Sequence, residues 1–248
     1  MKIIPTSKIL IALQFWNGDK REALQLARLL ADLEPKHCDI ADFLFVSRFD
    51  TQHDPATIKH VSRKFNTFSH VSKGRGTGWP HGCNDLLFGT LGWLYHKKQA
   101  GQIPGYKAIF CVEADGIPMR KDWIQALRDA WDTVNKPKPV CQAGAWLANG
   151  PDDKGTGHIN GNCLLSGDLA FLKWLFQSGG GVNSRSGWDW ILAPKFKARG
   201  WANIPQIRSW WRTPITEEMF LEGVRDKIIW QHGIKGDSGF KLCRKYLM

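Results

Sequence analysis

The sequence contains no apolar run of about 18 residues, the length that a membrane-spanning helix needs. Residues 1–8 lack both the apolar core and the cleavage site of a signal peptide. The six cysteines are scattered and no Cys-x-x-Cys occurs, which argues against a zinc site or a disulfide framework. These absences predict a cytoplasmic protein with reduced core thiols.

Acidic residues are scarce relative to basic ones. The chain has 34 Lys and Arg against 23 Asp and Glu, a formal net charge of +11. Such an excess favours a polyanionic partner, with nucleic acid first and an anionic membrane surface second. The 13 tryptophans supply flat rings that suit bases and sugar faces as well as a protein core.

The length of 248 residues suits one α/β domain. Apolar runs at residues 9–15, 41–47 and 108–112 predict buried strands, and helical patterns lie between them. This alternation predicts a mixed, mostly parallel sheet flanked by helices. The turn after the first run lacks Gly-x-Gly-x-x-Gly, which counts against a dinucleotide-binding domain. We also predict a helix over residues 85–98, Asp122 as a helix N-cap and a strand over residues 227–231.

Two carboxylates, Glu113 and Asp115, directly follow the predicted strand at residues 108–112, and Gly116 and Pro118 then end it. Ligands of open α/β sheets bind beyond the carboxyl ends of strands. An acid pair there suits a hard divalent cation that keeps open positions for phosphate. The simpler interpretation is a turn with one capping carboxylate.

A glycine-rich loop at residues 73–84 carries Lys73 and Arg75, with Gly76 among its glycines. It follows a predicted strand and opens a helix, so its amides, its cations and the helix N-terminus suit a diphosphate. The alternative is a solvated basic loop. Further on, His158, Asn160 and Asn162 alternate along a predicted strand, where they either recognise sugar hydroxyls or satisfy a sheet edge.

Aromatic and basic residues interleave between residues 185 and 212 and predict a surface for nucleic acid, or else amphipathic packing with snorkelling cations. They include Trp188, Trp190, Lys195, Lys197, Arg199, Arg208, Trp210, Trp211 and Arg212. Asp189 lies between two of these tryptophans and is a candidate general base or a helix cap. Near the end of the chain, His232 and Lys235 fall in a glycine-rich turn, where they suit a metal and a phosphate.

These motifs, taken in order, resemble those of GT-A glycosyltransferases: a basic glycine-rich loop, Glu-x-Asp-x-x-Pro, Gly-His-Ile-Asn-Gly-Asn, Trp-Asp and Trp-x-His-Gly-x-Lys. The similarity is greatest to compact phage-type enzymes, some of which glycosylate hydroxymethylated pyrimidines in DNA. It spans most of the chain. It implies host cytoplasm if the protein is phage-encoded.

The resemblance implies a nucleotide-sugar donor, with a UDP-sugar favoured, whose diphosphate is bridged by Mn²⁺ or Mg²⁺. The implied metal ligands are Glu113, Asp115 and His232. Lys235 would join the loop residues Lys73, Arg75 and Gly76 on the phosphates, and Asp189 would act near the acceptor. Residues 1–135 would form the nucleotide-sugar half and residues 136–248 the acceptor half of a single domain. The favoured acceptor is a 5-hydroxymethylpyrimidine in DNA.

Three alternatives fit part of the sequence. A polysaccharide or lipid-linked acceptor at a membrane surface would also account for the positive charge. A nucleic-acid-binding protein without catalysis leaves the Glu113-x-Asp115 and His232-Gly-x-Lys235 motifs unused. A metal-dependent nuclease needs more acids than the chain brings to these motifs.

Overall fold

The computed structural model describes residues 8–148, 157–178, 186–210 and 214–248. The strands are β1 (Ile9–Phe15), β2 (Ala41–Ser47), β3 (Asn66–Val71), β4 (Ala108–Glu113), β5 (Ile117–Pro118), β6 (Gln142–Leu147), β7 (His158–Ser166), β8 (Trp201–Asn203), β9 (Ile207–Ser209) and β10 (Trp230–His232). The helices are α1 (Lys20–Leu33), α2 (Pro55–Val61), α3 (His81–Gln99), α4 (Trp123–Asn135), α5 (Leu169–Ser178), α6 (Trp188–Ile191), α7 (Ala193–Arg199), α8 (Glu217–Arg225) and α9 (Ser238–Leu247).

A seven-stranded sheet forms the centre, in the order β3-β2-β1-β4-β7-β6-β8. Strands β3, β2, β1 and β4 are parallel, while β7 runs antiparallel to both β4 and β6. The mixed, mostly parallel sheet predicted from the sequence is therefore confirmed. Because β1 pairs with β2 on one side and β4 on the other, the strand order reverses beside β1.

Both faces of the sheet are covered, which explains why its central strands are continuous apolar runs. Alternate residues of β1 enter opposite cores: Ile9, Ile11 and Leu13 pack with α1, α4 and α9, while Leu10 and Ala12 pack with α3, α5 and α7. Every residue of β1 and β2 is buried, and the sequence of both strands is accordingly apolar at nearly every position. This is why both strands could be predicted. Among the described residues, no helix is long and apolar enough to cross a bilayer.

A second, three-stranded sheet of β5, β10 and β9 positions the site. Strand β5 begins two residues after Asp115 and pairs antiparallel with β10, which pairs parallel with β9. The fully buried Trp230 ring fixes β10 to the core through an edge-on contact with Phe110 at 5.1 Å and a tilted contact with Trp123 at 5.6 Å. This anchoring brings His232 to the end of β4.

The structure corrects two local predictions. Helix α3 begins at His81, not at Asp85, because Pro80 precedes its first turn, where a missing amide costs no hydrogen bond. Strand β10 begins at Trp230 because Lys227 takes a positive φ of 57°, which interrupts an extended strand. Asp122 is the N-cap residue of α4, as predicted, but its side chain pairs with Arg120 and makes no capping hydrogen bond. The polar segment 149–156 and the glycines 179–181 lie outside the described residues.

Candidate active site

The carboxyl ends of β1, β2 and β4 meet at a cavity of about 480 Å³. This is the place where the strand order reverses, and ligands of open α/β sheets bind at such a switch point. Its lining includes Trp16 and Asp19 after β1, Arg48 after β2, Glu113 and Asp115 at the end of β4, and Lys235 after β10.

Glu113 and Asp115, which line this cavity, converge with the buried His232. Nε2 of His232 lies 3.1 Å from Oε2 of Glu113 and 3.0 Å from Oδ1 of Asp115. One ligand atom from each of the three residues lies within 4.8 Å of the others. The second ring nitrogen of His232, Nδ1, lies 2.9 Å from the Ser209 hydroxyl, which holds the ring with Nε2 facing the acids. The structure thus brings together the three metal ligands that the resemblance implied.

The charges of this cluster depend on one another. Burial disfavours the imidazolium form, but contacts with Asp115 and Glu113 outweigh it and raise the pKa of His232 to about 9. Burial would likewise raise the pKa of Asp115, but His232 and Lys235 hold it at about 2. The Lys235 ammonium contacts the second carboxylate oxygen of Asp115. In the metal-free protein, a protonated histidine therefore lies between the two acids.

The donor set fits Mn²⁺ or Mg²⁺. Oδ1 of Asp115 is buried and lies 3.0 Å from Nε2 of His232, so a cation that replaced the His232 proton would find two ligand atoms already facing each other. Two carboxylates and one imidazole supply hard and borderline ligands, too few for a closed shell, which leaves positions for phosphate oxygens.

We expect metal binding to release a proton. His232 must lose its proton to coordinate, so between about pH 6 and pH 8, below its pKa of about 9, affinity should rise roughly tenfold per pH unit. Calorimetry of Mn²⁺ binding in buffers of different ionisation enthalpy measures the proton directly. An affinity independent of pH over this interval would contradict the assignment.

Asn162 supports Glu113 from the neighbouring strand. Its fully buried amide accepts a hydrogen bond from the Glu113 backbone N–H at 3.2 Å and donates one to Glu113 Oε2, also at 3.2 Å. The Asn162 backbone N–H donates in turn to Oδ1 of Asn160 at 2.9 Å. Asn160 and Asn162 are both buried, and through these hydrogen bonds they support Glu113 of the candidate metal site. Their predicted contact with the acceptor stays a prediction.

Because Asn162 orients a metal ligand, Asn162→Ala should weaken Mn²⁺ binding by about 10- to 100-fold. Titration calorimetry gives the affinity, and circular dichroism checks that the variant folds. The matched control is Asn66→Ala, at the exposed start of edge strand β3. Equal metal affinity in the Asn162 variant and the control would remove Asn162 from the site.

Asp189, the candidate base, lies at the start of α6 and is paired with His158. Nε2 of His158 lies 3.4 Å from Oδ2 of Asp189, and the His158 ring packs against Trp190 at 4.1 Å. Trp188, the other neighbour of Asp189 in sequence, is buried and packs edge-on against Phe196 at 6.4 Å. Trp188 therefore anchors α6, while His158 contacts the carboxylate of Asp189.

The glycine-rich loop reaches the cavity through Gly78 and Trp79, which line it. Lys73, Arg75 and Gly76 are not among the described residues that line it, whereas Lys235 is. The Gly76 amide donates to the Asp85 carboxylate at the start of α3, and its carbonyl accepts from Arg48 at 3.5 Å. The loop thus folds onto α3, and its predicted contact with the diphosphate stays a prediction.

Most described cations of the predicted nucleic-acid tract contact rings or acids of the protein itself. Lys197 lies 4.9 Å from the centre of the Trp146 ring, and Arg199 lies 4.0 Å from that of Trp174. Arg208 donates to Asp226 at 2.7 Å and lies over Trp210 at 5.8 Å, while Lys195 is exposed. Trp211 and Arg212 lie outside the described residues.

Sequence reasoning missed several residues that line the cavity. Trp16 and Arg48 immediately follow β1 and β2, and the Arg48 guanidinium lies 5.4 Å from the Trp16 ring centre. Asp19 also lines the cavity, and burial raises the pKa of its carboxyl to about 6, although a hydrogen bond from the Trp16 backbone amide lowers it in part. The signal that could have found them is their position directly after parallel strands, the same signal that identified Glu113 and Asp115.

Solved structures that share this architecture are GT-A glycosyltransferases, and the chain has their fold. The glycosyltransferase GlyE of Streptococcus pneumoniae TIGR4 matches at 11% identity and a TM-score of 0.52, over 94% of this chain and 56% of GlyE. A glycosyltransferase involved in glycosylation of the major capsid of PBCV-1 matches at 12% identity and a TM-score of 0.51, over 97% of this chain and 100% of that one.

The galactosyltransferase LgtC, in complex with donor and acceptor sugar analogues, matches at 11% identity and a TM-score of 0.53, over 92% of this chain and 87% of LgtC. The chain thus spans little more than half the length of GlyE but the full length of the PBCV-1 protein. No protein-family model matches the sequence. No curated protein matches it either.

Proposed function

We propose that this protein is a metal-dependent glycosyltransferase that moves a sugar from a nucleotide-sugar donor to a hydroxyl acceptor. The observation that carries the proposal is the convergence of Glu113, Asp115 and His232 beside Lys235, at the cavity that lies at the switch point of a GT-A sheet. A cavity of about 480 Å³ falls in the range of small-molecule sites.

The chemistry follows from charge. Breaking the anomeric bond of the donor releases a nucleoside diphosphate, and the negative charge that develops on it must be stabilised. A bound Mn²⁺ or Mg²⁺ would supply Lewis-acid stabilisation of that charge. Glu113, Asp115 and His232 would hold the metal, and Lys235, whose side chain is 62% exposed at the cavity, would supply a second positive charge.

The nucleoside of the donor would occupy the part of the cavity beside Trp16 and Arg48. The indole of Trp16 is 41% exposed and lines the cavity, so it offers a stacking face to a base. The Arg48 guanidinium packs over the same ring and pairs with Asp50, which fixes its position. A UDP-sugar is the donor that we favour.

Asp189 is the group that we assign to the acceptor proton. Its carboxylate is held by His158 at the start of α6, which positions it to act as a general base. Direct displacement with Asp189 as base inverts the anomeric configuration. If the donor phosphate takes the proton instead, Asp189 only positions the acceptor and the configuration is retained.

For the acceptor, we favour a 5-hydroxymethylpyrimidine in DNA. The formal net charge of +11 supports a polyanionic partner, and two tryptophans near Asp189 expose their rings. A polysaccharide or lipid-linked sugar is the second candidate. A binding protein without catalysis would leave the convergence of Glu113, Asp115 and His232 without a role.

The test is incubation with a panel of nucleotide sugars and Mn²⁺, with release of nucleoside diphosphate as the readout. We expect release with one or a few donors, faster in the presence of hydroxymethylated DNA and abolished by a chelator. Release that is insensitive to chelation, or no release with any donor and acceptor, would overturn the proposal.

A further inference from the structure

Four large aromatic side chains of the described residues are exposed, and two of them line the cavity. We call Trp16, Phe49, Trp79 and Trp190 the aromatic rim. Trp16 and Trp79 line the cavity. Phe49 lies near Trp16, because the Arg48 guanidinium is within 5.7 Å of both ring centres. Apolar rings left in water in one region mark a surface that binds a ligand.

Trp79 connects the cavity to the candidate base. It is 70% exposed and lines the cavity, and its indole edge also approaches α6. A Cβ built on Gly187 would lie 3.5 Å from Nε1 of Trp79 and 2.6 Å from Oδ1 of Asp189. The ring of Trp79 and the carboxylate of Asp189 therefore meet at Gly187.

Trp190 directly follows Asp189 in the chain and is the second exposed tryptophan near it. One part of its ring packs against the buried His158, yet 46% of the side chain is exposed. His158 thus fixes both the Asp189 carboxylate and the Trp190 ring. Asp189 is therefore near two exposed indoles, Trp79 through Gly187 and Trp190 through His158, and Trp79 also lines the donor cavity.

The charge beside the rim suits a polyanion. Arg75 lies over the exposed Phe49 ring at 5.9 Å, and Lys73 and Arg75 are both exposed. In the tract predicted from the sequence, by contrast, Arg208 pairs with the carboxylate of Asp226. Exposed cations interleaved with exposed rings are the surface that single-stranded nucleic acid prefers.

We propose that Trp79 and Trp190 stack on an acceptor pyrimidine held out of the DNA strand, with Asp189 between them at its hydroxymethyl group. Phe49, Lys73 and Arg75 would hold the neighbouring strand. Such a base must leave the duplex stack, and flat indole faces stabilise it there without regard to sequence. This inference rests on the glycosyltransferase proposal for its chemistry. It assigns the DNA contact to the aromatic rim, of which Trp190 is part, and not to the cations Lys195, Lys197, Arg199 and Arg208 of the predicted tract.

The experiment measures binding of a single-stranded DNA of about 16 nucleotides that carries one 5-hydroxymethyluracil, in parallel with UDP binding. Trp79→Ala and Trp190→Ala should each weaken DNA binding about tenfold, more than they change UDP affinity, and Trp190→Phe should restore most of the loss. Arg75→Ala should lower the slope of log affinity against log salt by about one. Val224→Ala, an exposed position on α8, is the control and should match the wild type.

Three results would overturn the inference. Equal losses of UDP and DNA affinity would assign the tryptophans to the donor. A loss of DNA affinity in Lys195→Ala with no loss in Trp79→Ala would show that the cations of the predicted tract bind the DNA. A wild-type protein that turns over a nucleotide sugar but binds no DNA would refute DNA binding by the aromatic rim and leave the glycosyltransferase proposal intact. DNA binding that depends on the aromatic rim, without turnover of any nucleotide sugar, would refute the glycosyltransferase proposal and leave the DNA contact intact.

Discussion

Replacing Asp115 with asparagine should reduce sugar transfer by about 10²- to 10³-fold. The substitution keeps the shape of the side chain but removes the charge that faces His232 at 3.0 Å and contacts Lys235. Without it, the cluster holds one carboxylate beside two basic groups, so a divalent cation binds weakly. The backbone hydrogen bond from Ile234 to the Asp115 carbonyl at 2.9 Å is unaffected, so the local fold should persist.

The matched control is Asp129→Asn, the same chemical change on the exposed face of α4. It should retain wild-type transfer. Initial rates at saturating donor across a Mn²⁺ series separate weaker metal binding from a slower chemical step. A fall of less than about threefold in the Asp115 variant, or an equal fall in both variants, would contradict the role of the cluster.

Trp230→Ala should lower the free energy of unfolding by about 3–5 kcal/mol. The ring is fully buried against Phe110 and Trp123, and a Cβ built on Gly116 would lie 2.5 Å from its Nε1. Truncation leaves a cavity between the main sheet and the second sheet. Because β10 carries His232, metal affinity should fall together with stability.

Urea denaturation followed by circular dichroism measures this loss. Trp79→Ala removes the same side chain at a position that is 70% exposed and should change stability by less than about 0.5 kcal/mol. A Trp230 variant within about 1 kcal/mol of the wild type would show that the second sheet does not depend on this ring.

The central sheet could be predicted from sequence because β1, β2 and β4 are apolar runs buried on both faces. The meeting of Glu113 and Asp115 with His232 could also be anticipated, through the motifs that resemble GT-A enzymes. A strand was predicted at residues 227–231, which overlaps β10, but no local pattern indicated that it pairs with β5 and β9 in a second sheet, whose strands have two or three residues each. Their pairing depends on contacts distant in the chain, such as those of Trp230 with Phe110 and Trp123.

The roles of individual polar residues were harder to predict, because they depend on which neighbour each side chain meets. His158, Asn160 and Asn162 alternate as expected of a strand, but their partners are Asp189 and Glu113 inside the protein. Exposure is equally invisible in sequence. Trp188 and Trp190 are two residues apart, yet the first is buried and the second is 46% exposed.

The most direct test of the central claim is anomalous diffraction from crystals grown with Mn²⁺ and UDP. We expect a manganese peak bounded by Glu113, Asp115 and His232, with oxygens of the UDP diphosphate completing its shell and Lys235 beside the phosphates. UDP bound in the cavity with no manganese peak at these three residues, or a peak at other residues, would contradict the claim.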